Sequence, residues 1–373
     1  MTLLTIRPLD VLMLRGNRLF GGGVHGLSYM PPWPSVVTGA IVSRVLADKG
    51  LLCDVTREPD KALQVVQNCL RPDFSLRFLA LQKDRILWFP LPADLAAVQS
   101  EQGTFALRRM KPTPIPKPVL CSGLLPYSVR MEPSDRRKPL TGMWISVEGL
   151  AAHFSGKLPD EKSLLPSQQF WGNDPRLGIA LYTDARTAEE GAIYTTDAVA
   201  LRPGVCLCAD FTGDNLPQSG LIRLGGDGRA AEVLPTDEST FQSCRDIGRP
   251  ESGWKGFRLI LATPGLFQDG WRPPVVDDTN RMFLDGLEAE LVAAAVPRAA
   301  VVSGWDIAAH SPKPARRLAP AGSCYWFRVI KGDTQALTPL WEKGLWSFID
   351  PRLSFATRRH EGWNRVWFGI WNF

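Results

Sequence analysis

Histidine, paired cysteine and long apolar runs are what this sequence has least of. Its 373 residues include four histidines (His25, His153, His310 and His360), far apart, with no H-E-x-x-H and no EF-hand-like acidic run. No metal site is expected, because zinc and calcium centres need closely spaced ligands. The seven cysteines form no C-x-x-C pair. An odd number of cysteines in a large chain points to reduced thiols and a cytoplasmic home. Cys206 and Cys208, two apart on a strand candidate, read as small apolar residues on one face. No apolar stretch approaches the ~18 residues that span a bilayer. The N-terminus has no basic leader before an apolar run, so neither membrane insertion nor secretion is expected. G-x-S-x-G is absent as well, which leaves a hydrolase elbow without support.

What is present is ordinary for a folded protein: 45% hydrophobic, 22% charged, and a formal net charge of +5. That charge is compatible with a polyanion partner but far from a polycation. Glycine (33) and proline (31) together exceed the roughly 45 residues that average usage gives, so long punctuated loops are expected. At roughly 150 residues per domain the length fits two domains. The loop-rich stretch Pro159–Pro175 divides them, as 1–165 and 166–373.

Strand candidates dominate. Thr2–Ile6 opens the chain, and Leu76–Leu81 with Arg85–Pro90 reads as a hairpin turning at Lys83-Asp84. Further candidates are Leu177–Tyr182, Ala198–Leu201, Val205–Phe211, Gly220–Leu224, Phe257–Thr263, Ala299–Gly304, Cys324–Ile330 and Val366–Trp371. Lys111–Pro118, with four prolines, reads as extended and excluded from a sheet interior. Val36–Lys49 reads as a helix capped by Ser35, with Val37, Ile41 and Val45 on one face and Gly50 at its end. Without regular βα alternation, the fold class is α+β.

Gly21-Gly22-Gly23-Val24-His25-Gly26 spells G-x-G-x-x-G, but the helix begins some ten residues late, after Pro31-Pro32-Trp33-Pro34. A dinucleotide fold needs the helix to open directly from the glycines. What the segment still offers is backbone N–H groups free of side-chain bulk, which bind anions. Arg15 and Arg18 precede it, His25 lies within it, and the helix start at Ser35 and Thr38 adds a positive dipole end. These residues suit a phosphodiester cradle and equally a tight structural loop. Gly39, inside the helix, reads as a point of close backbone approach. Asp277-Asp278 reads as a cap or solvated turn rather than a catalytic dyad.

Basic residues cluster at 108–111, 136–138, 313–317 and 358–360, a segregation that suits an RNA track. Thirteen tryptophans could stack bases. Around Trp363, Trp367 and Trp371 both strand faces are apolar, however, so core packing is the better reading there.

Taken in order, a series of blocks is more specific than any one alone. They are Ile6-Arg7-Pro8-Leu9-Asp10 with Arg15, the Gly21–Gly26 segment, and Pro31-Pro32-Trp33-Pro34-Ser35 with Gly39-Ala40. Pro175-Arg176-Leu177-Gly178-Ile179, Gly191-Ala192-Ile193-Tyr194 and Leu224-Gly225-Gly226-Asp227-Gly228-Arg229 follow. Ser303-Gly304-Trp305-Asp306, Lys313-Pro314 and Pro320-Ala321-Gly322-Ser323 complete the series. Over almost its whole length the chain resembles the RAMP superfamily of CRISPR proteins, and within it the third subunit of the type III-B Cmr effector complex. The resemblance implies two ferredoxin-like (RRM-like) domains with long loop insertions. It also implies a non-catalytic subunit, without cofactor, that grips the 5′ handle of the crRNA. Its partners would be the large polymerase-like subunit and the neighbouring backbone RAMP subunits. Carried onto this sequence, the RNA-binding residues are Arg15, Arg18, Gly21, Gly22, Gly23, His25, Ser35 and Thr38, with Arg176, Arg229, Lys313 and Arg316. The C-terminal glycine loop of the superfamily is replaced here by Gly362-Trp363-Asn364-Arg365. Two other functions fit less of the sequence. One is a metal-independent RNA endonuclease using His25 as general acid or base; the other is a scaffold held by protein contacts.

Overall fold

The computed structural model describes residues 2–14, 25–26, 28–70, 74–99, 105–116, 123, 125–213 and 216–373, with residues 25, 26, 59, 60 and 189 described in their backbone only. The fold is mixed α+β. Its larger sheet is antiparallel and eight-stranded. It takes β1 (Thr2–Pro8), β2 (Ser75–Lys83), β3 (Ile86–Pro90), β4 (Met143–Ser146) and β5 (Leu164–Pro166) from the first part of the chain. After an intervening hairpin, β6 (Trp171–Leu181) and β7 (Ala188–Leu201), it adds β8 (Val205–Thr212), β9 (Gly220–Arg223) and β10 (Ala230–Pro235). The spatial order is β9-β10-β1-β8-β2-β3-β4-β5. A second, five-stranded sheet is built only from later residues: β11 (Gly256–Leu261), β12 (Arg281–Leu284), β13 (Leu287–Ala295), β14 (Cys324–Lys331) and β15 (Val366–Ile370). Its order is β12-β13-β14-β11-β15. The larger sheet thus crosses the 165/166 division, because β8, β9 and β10 return to pair with β1 and β2.

Both faces of the larger sheet are covered, and strand alternation sorts the side chains. Leu4, Ile6, Leu207 and Phe211 face helix α1 (Pro34–Asp48), which presents Val37, Ile41 and Val45 to them. Leu3, Phe78, Ala80, Phe89 and Ile145 face the second sheet, meeting Phe257, Leu259, Phe327 and Phe368 in one continuous core with helix α2 (Val147–Phe154). Trp367 and Trp371 belong to this core and Trp363 to a neighbouring one, as two-sided apolar character predicts. On β2 the pairing steps from Leu76 to Phe78 against consecutive residues of β8, so Arg77 is the extra residue of a bulge. Bulges re-aim side chains, and this one turns Arg77 onto Asp210 of β8 at 2.9 Å.

Local sequence signals account for most boundaries. The β2–β3 hairpin turns at Asp84 and Arg85, both at positive φ, one residue later than the sequence places it. Helix α1 ends in a Schellman pair, Leu51 N–H to Leu46 O (2.8 Å) and Gly50 N–H to Ala47 O (3.0 Å), with Gly50 at φ +71°. Its start corrects the reading from sequence. Trp33 is the N-cap, without a side-chain hydrogen bond to the helix, and Pro34 occupies the first turn, so Ser35 lies inside the helix rather than capping it. Gly39 is exposed, and a Cβ there would meet nothing within 4 Å; the close approach anticipated for it does not exist. Phe105–Pro114 forms a strand whose proline-bearing end is extended and outside a sheet interior, as expected, with 117–118 outside the described residues. Its first half pairs with Leu95–Gln99, while Pro112 and Pro114 pair on one side only, with Tyr127–Glu132, as residues lacking an N–H must.

Candidate nucleic-acid interface

The glycine segment, with Arg15, Arg18, Gly21, Gly22 and Gly23, lies outside the described residues, but both of its ends are fixed. On the entry side Leu12 exchanges two hydrogen bonds with Val199 of β7, at 2.8 and 2.9 Å. Met13 O accepts from Gly226 N–H at 2.8 Å. Gly225 (φ +82°) approaches so closely that a Cβ would sit 2.6 Å from Met13 O, which only glycine allows. On the exit side His25–Gly26 pairs in parallel with Thr195–Thr196, and the Ser28 hydroxyl donates to Asp197 O. Tyr29 N–H then donates to Leu14 O at 2.8 Å, tying exit to entry. One strand, β7, therefore holds both ends, and the Leu224–Arg229 turn buttresses the entry. The sequence blocks containing Asp10, Arg176, Tyr194 and Arg229 meet at this root.

Arg176 and Arg229 come to the same place through their carboxylates. Arg229 pairs with Asp10, and Arg176 pairs with Asp174 at 2.9 Å while also feeling Asp10. The hydrogen bond to Asp174 raises the Arg176 pKa. Their side chains are 37% and 26% exposed. Ser35 is half-buried; Thr38 is buried, and its hydroxyl finds no hydrogen-bond partner.

Lys313 and Arg316 belong to a different constellation. Lys313 Nζ is 2.7 Å from Glu361, which also takes Arg358 (2.8 Å) and the Trp363 indole N–H (2.7 Å). Arg316 donates to the Ser354 hydroxyl at 2.5 Å and lies over Phe355. The link between the two places is aromatic: Tyr29 stacks on Trp33, which leans on Trp363. Of the other basic clusters, 108–111 and 136–138 converge on the small Leu95–Glu132 sheet. There Asp135 meets Arg137 (2.6 Å) and Arg108 (3.6 Å), and Glu132 meets Lys111 (3.1 Å). Arg130, Arg136 and Lys138 are exposed there with no ion pair among the described residues.

Sequence reasoning missed two buried ionic groups between the sheets. In the first, Asp94 Oδ2 accepts from Arg258 of β11 (2.7 Å) and lies 2.8 Å from His153 Nε2 of α2, while Arg258 also donates to His153 O. Burial alone would raise the Asp94 carboxyl, but His153 and Arg258 hold it well below the usual range; burial, then Arg258, lowers His153. In the second, Arg77 reaches Asp210 and lies 4.9 Å from the Trp341 ring, while Arg365 donates to Trp341 O and Glu342 O. Burial pushes Asp210 up to about 6 against the pull of Arg77, and lowers Arg365 to about 9. The carboxylate pairs, 59 to 164 residues apart along the chain, are hidden from any local pattern. Asp277 accepts from Thr279 and Arg281 as a turn residue, and Cys208 is buried with its thiol on Gln82. Among the described residues no group of three or more His, Cys, Asp or Glu is placed to hold a metal ion, and no helix is long and apolar enough to cross a membrane.

These features define a mixed α+β protein whose candidate surface is assembled from the flanks of the glycine segment, paired arginines and an aromatic stack. The chain belongs to the family described as CRISPR-associated protein (Cas_Cmr3), which matches residues 4–371. In fold it is similar to a chain in the cryo-EM structure of the type III-B Cmr-beta bound to cognate target RNA and AMPPnP. That chain shares 15% identity at a TM-score of 0.54, over 98% of this chain and 95% of that one. A chain from the Cmr-beta structure bound to cognate target RNA gives 14% identity and a TM-score of 0.52, over 98% and 96%. No curated protein matches the chain.

Proposed function

We propose that this protein is a non-catalytic, cytoplasmic RNA-binding subunit of a type III-B CRISPR effector complex, in the position of its third subunit. It caps the 5′ handle of the crRNA and docks on the large polymerase-like subunit and neighbouring RAMP subunits. Two ferredoxin-like halves, elaborated by loop insertions, make up its body. The observation that carries this reading is the root of the glycine segment: the described residues on either side of it are tied to β7, with Arg176 and Arg229 gathered at that root, and the sequence between them is rich in glycine. Fixing the ends reduces the entropy lost when the backbone donors close on phosphate. Family membership and the shared fold support the assignment.

Arg15→Ala combined with Arg18→Ala tests it. The double variant is expected to keep its fold and bind handle RNA more weakly, with the salt slope reduced by about 0.7 per lost phosphate contact. Unchanged affinity and slope would remove those arginines from the interface. Incubating the protein with repeat RNA in EDTA checks the non-catalytic part: intact RNA is expected, and cleavage abolished by His25→Ala would contradict it.

A further inference from the structure

Three strands inserted between β3 and β4, Leu95–Gln99, Phe105–Pro114 and Tyr127–Glu132, form a small antiparallel sheet, and the positive charge of the chain gathers on it. Within residues 105–116 and 125–140, seven lysines and arginines stand against two carboxylates, Glu132 and Asp135. That surplus of five equals the formal net charge of the whole chain, so the remaining residues together are neutral. Charge needed only for solubility is spread over a surface; charge concentrated on one element makes a local field that draws a partner of opposite sign.

The sheet holds these cations against its own stability. Lys111 lies directly opposite Arg130 in register, a like-charged cross-strand pair that weakens the ladder. The two carboxylates are already engaged, Glu132 by Lys111 at 3.1 Å and Asp135 by Arg137 and Arg108 at 2.6 and 3.6 Å. Arg109 donates to Gly156 O at 2.6 Å. Arg130, Arg136 and Lys138 are exposed and make no ion pair or hydrogen bond among the described residues. Lys111 and Arg130 also line a groove of about 400 Å³ beside Pro112–Pro114.

Cations in excess of the local acids, two of them facing each other, fit an anion that carries several charges. Among the described residues no large apolar side chain is exposed between Ile86 and Leu158, so this face lacks the apolar anchors that hold protein interfaces. A positive groove that tracks a backbone is the form in which single-stranded nucleic acid is held without sequence preference. We infer that the small sheet is a second RNA-binding surface, which takes the phosphodiester backbone of a single strand whatever its sequence. Neither the glycine segment nor a handle sequence takes part, so this surface goes beyond the function proposed above and is separable from it.

Titrating the full chain with an oligouridine of about 20 nucleotides, which carries no handle, tests the inference. Wild type is expected to bind at low salt and to weaken steadily as salt rises. Arg130→Gln, Arg136→Gln and Lys138→Gln together should lower the salt slope by about 2 and the affinity at about 0.1 M salt by up to about 100-fold. Lys61→Gln, Arg249→Gln and Arg352→Gln together remove the same charge from exposed positions elsewhere, and should change the affinity by less than about threefold. Equal losses from the two triple variants would overturn a surface confined to the sheet. Polyglutamate of matched charge binding more tightly than the oligouridine would assign the face to an acidic protein and overturn its assignment to RNA. Wild type that binds handle RNA but not oligouridine would overturn this surface and leave the handle-binding function standing.

Discussion

Asp94 and Asp210 occupy equivalent situations between the two sheets, buried and paired with an arginine, yet they behave in opposite ways. Asp94 receives Arg258 and lies against His153, and it stays ionised far below the usual carboxylate range. Asp210 receives Arg77 by hydrogen bond, and burial wins, lifting it to about 6. At Asp94 the attraction of His153 and Arg258 outweighs burial; at Asp210 the charges of Arg77 and Arg365 do not. Arg176 and Arg229, half-buried at the root of the glycine segment, show a third regime: their pairs reach the surface and are worth little to stability. The ionised form of Asp94 is therefore favoured in its buried site only because its partners outweigh desolvation, while the surface pairs of Arg176 and Arg229 involve no such balance.

The largest expected effect comes from breaking the first pair. Asp94→Ala leaves Arg258 buried without its carboxylate and should cost about 3–5 kcal/mol, read from denaturant midpoints at pH 7. The second is a contrast in pH. Asp94, with its folded pKa depressed, contributes stability that is present above about pH 4 and lost as the pH falls further. Asp210, with its folded pKa raised, does the reverse. Its contribution is fully present below about pH 4 and is lost as the pH rises to about 6, a change of roughly 3 kcal/mol for two units. Asp210→Asn should abolish that decline between pH 4 and 6. A decline that persists in the variant would show that another group titrates there.

Smaller effects should appear in RNA binding rather than in folding. Arg176→Ala with Arg229→Ala should leave denaturant midpoints within about 0.5 kcal/mol and lower the salt slope of handle binding by at most about 1.4. Lys313→Ala with Arg316→Ala should lower it less. Their partners Glu361 and Ser354 already tie them to the Trp363 neighbourhood, away from the root. Equal losses from the two double variants would merge the two places into one track.

Much of the fold could be read from the sequence because its signals are local. The hairpin at Asp84, the Gly50 helix stop and the two-sided apolar strands each depend on neighbours a few residues away. The Leu224–Arg229 and Pro175–Ile179 blocks stood out as motifs, and they meet at the root of the glycine segment. Three features could not be read in this way. Strands β8 to β10 return to the first sheet because their partners, not their composition, decide where they lie. Trp33 displaces Ser35 as N-cap because Pro34 already sets the first helical φ and the indole stacks with Tyr29. The inter-sheet clusters depend on a bulge at Arg77 and on contacts formed across the whole chain.

The central claim, that guide RNA is held at the root of the glycine segment, is tested most directly by photo-crosslinking a short 5′-handle RNA to the intact chain and mapping the crosslinked peptides. Crosslinks are expected within residues 15–29 and along 171–201. Crosslinks confined to the basic surface of residues 105–138, with none at the root, would contradict the account.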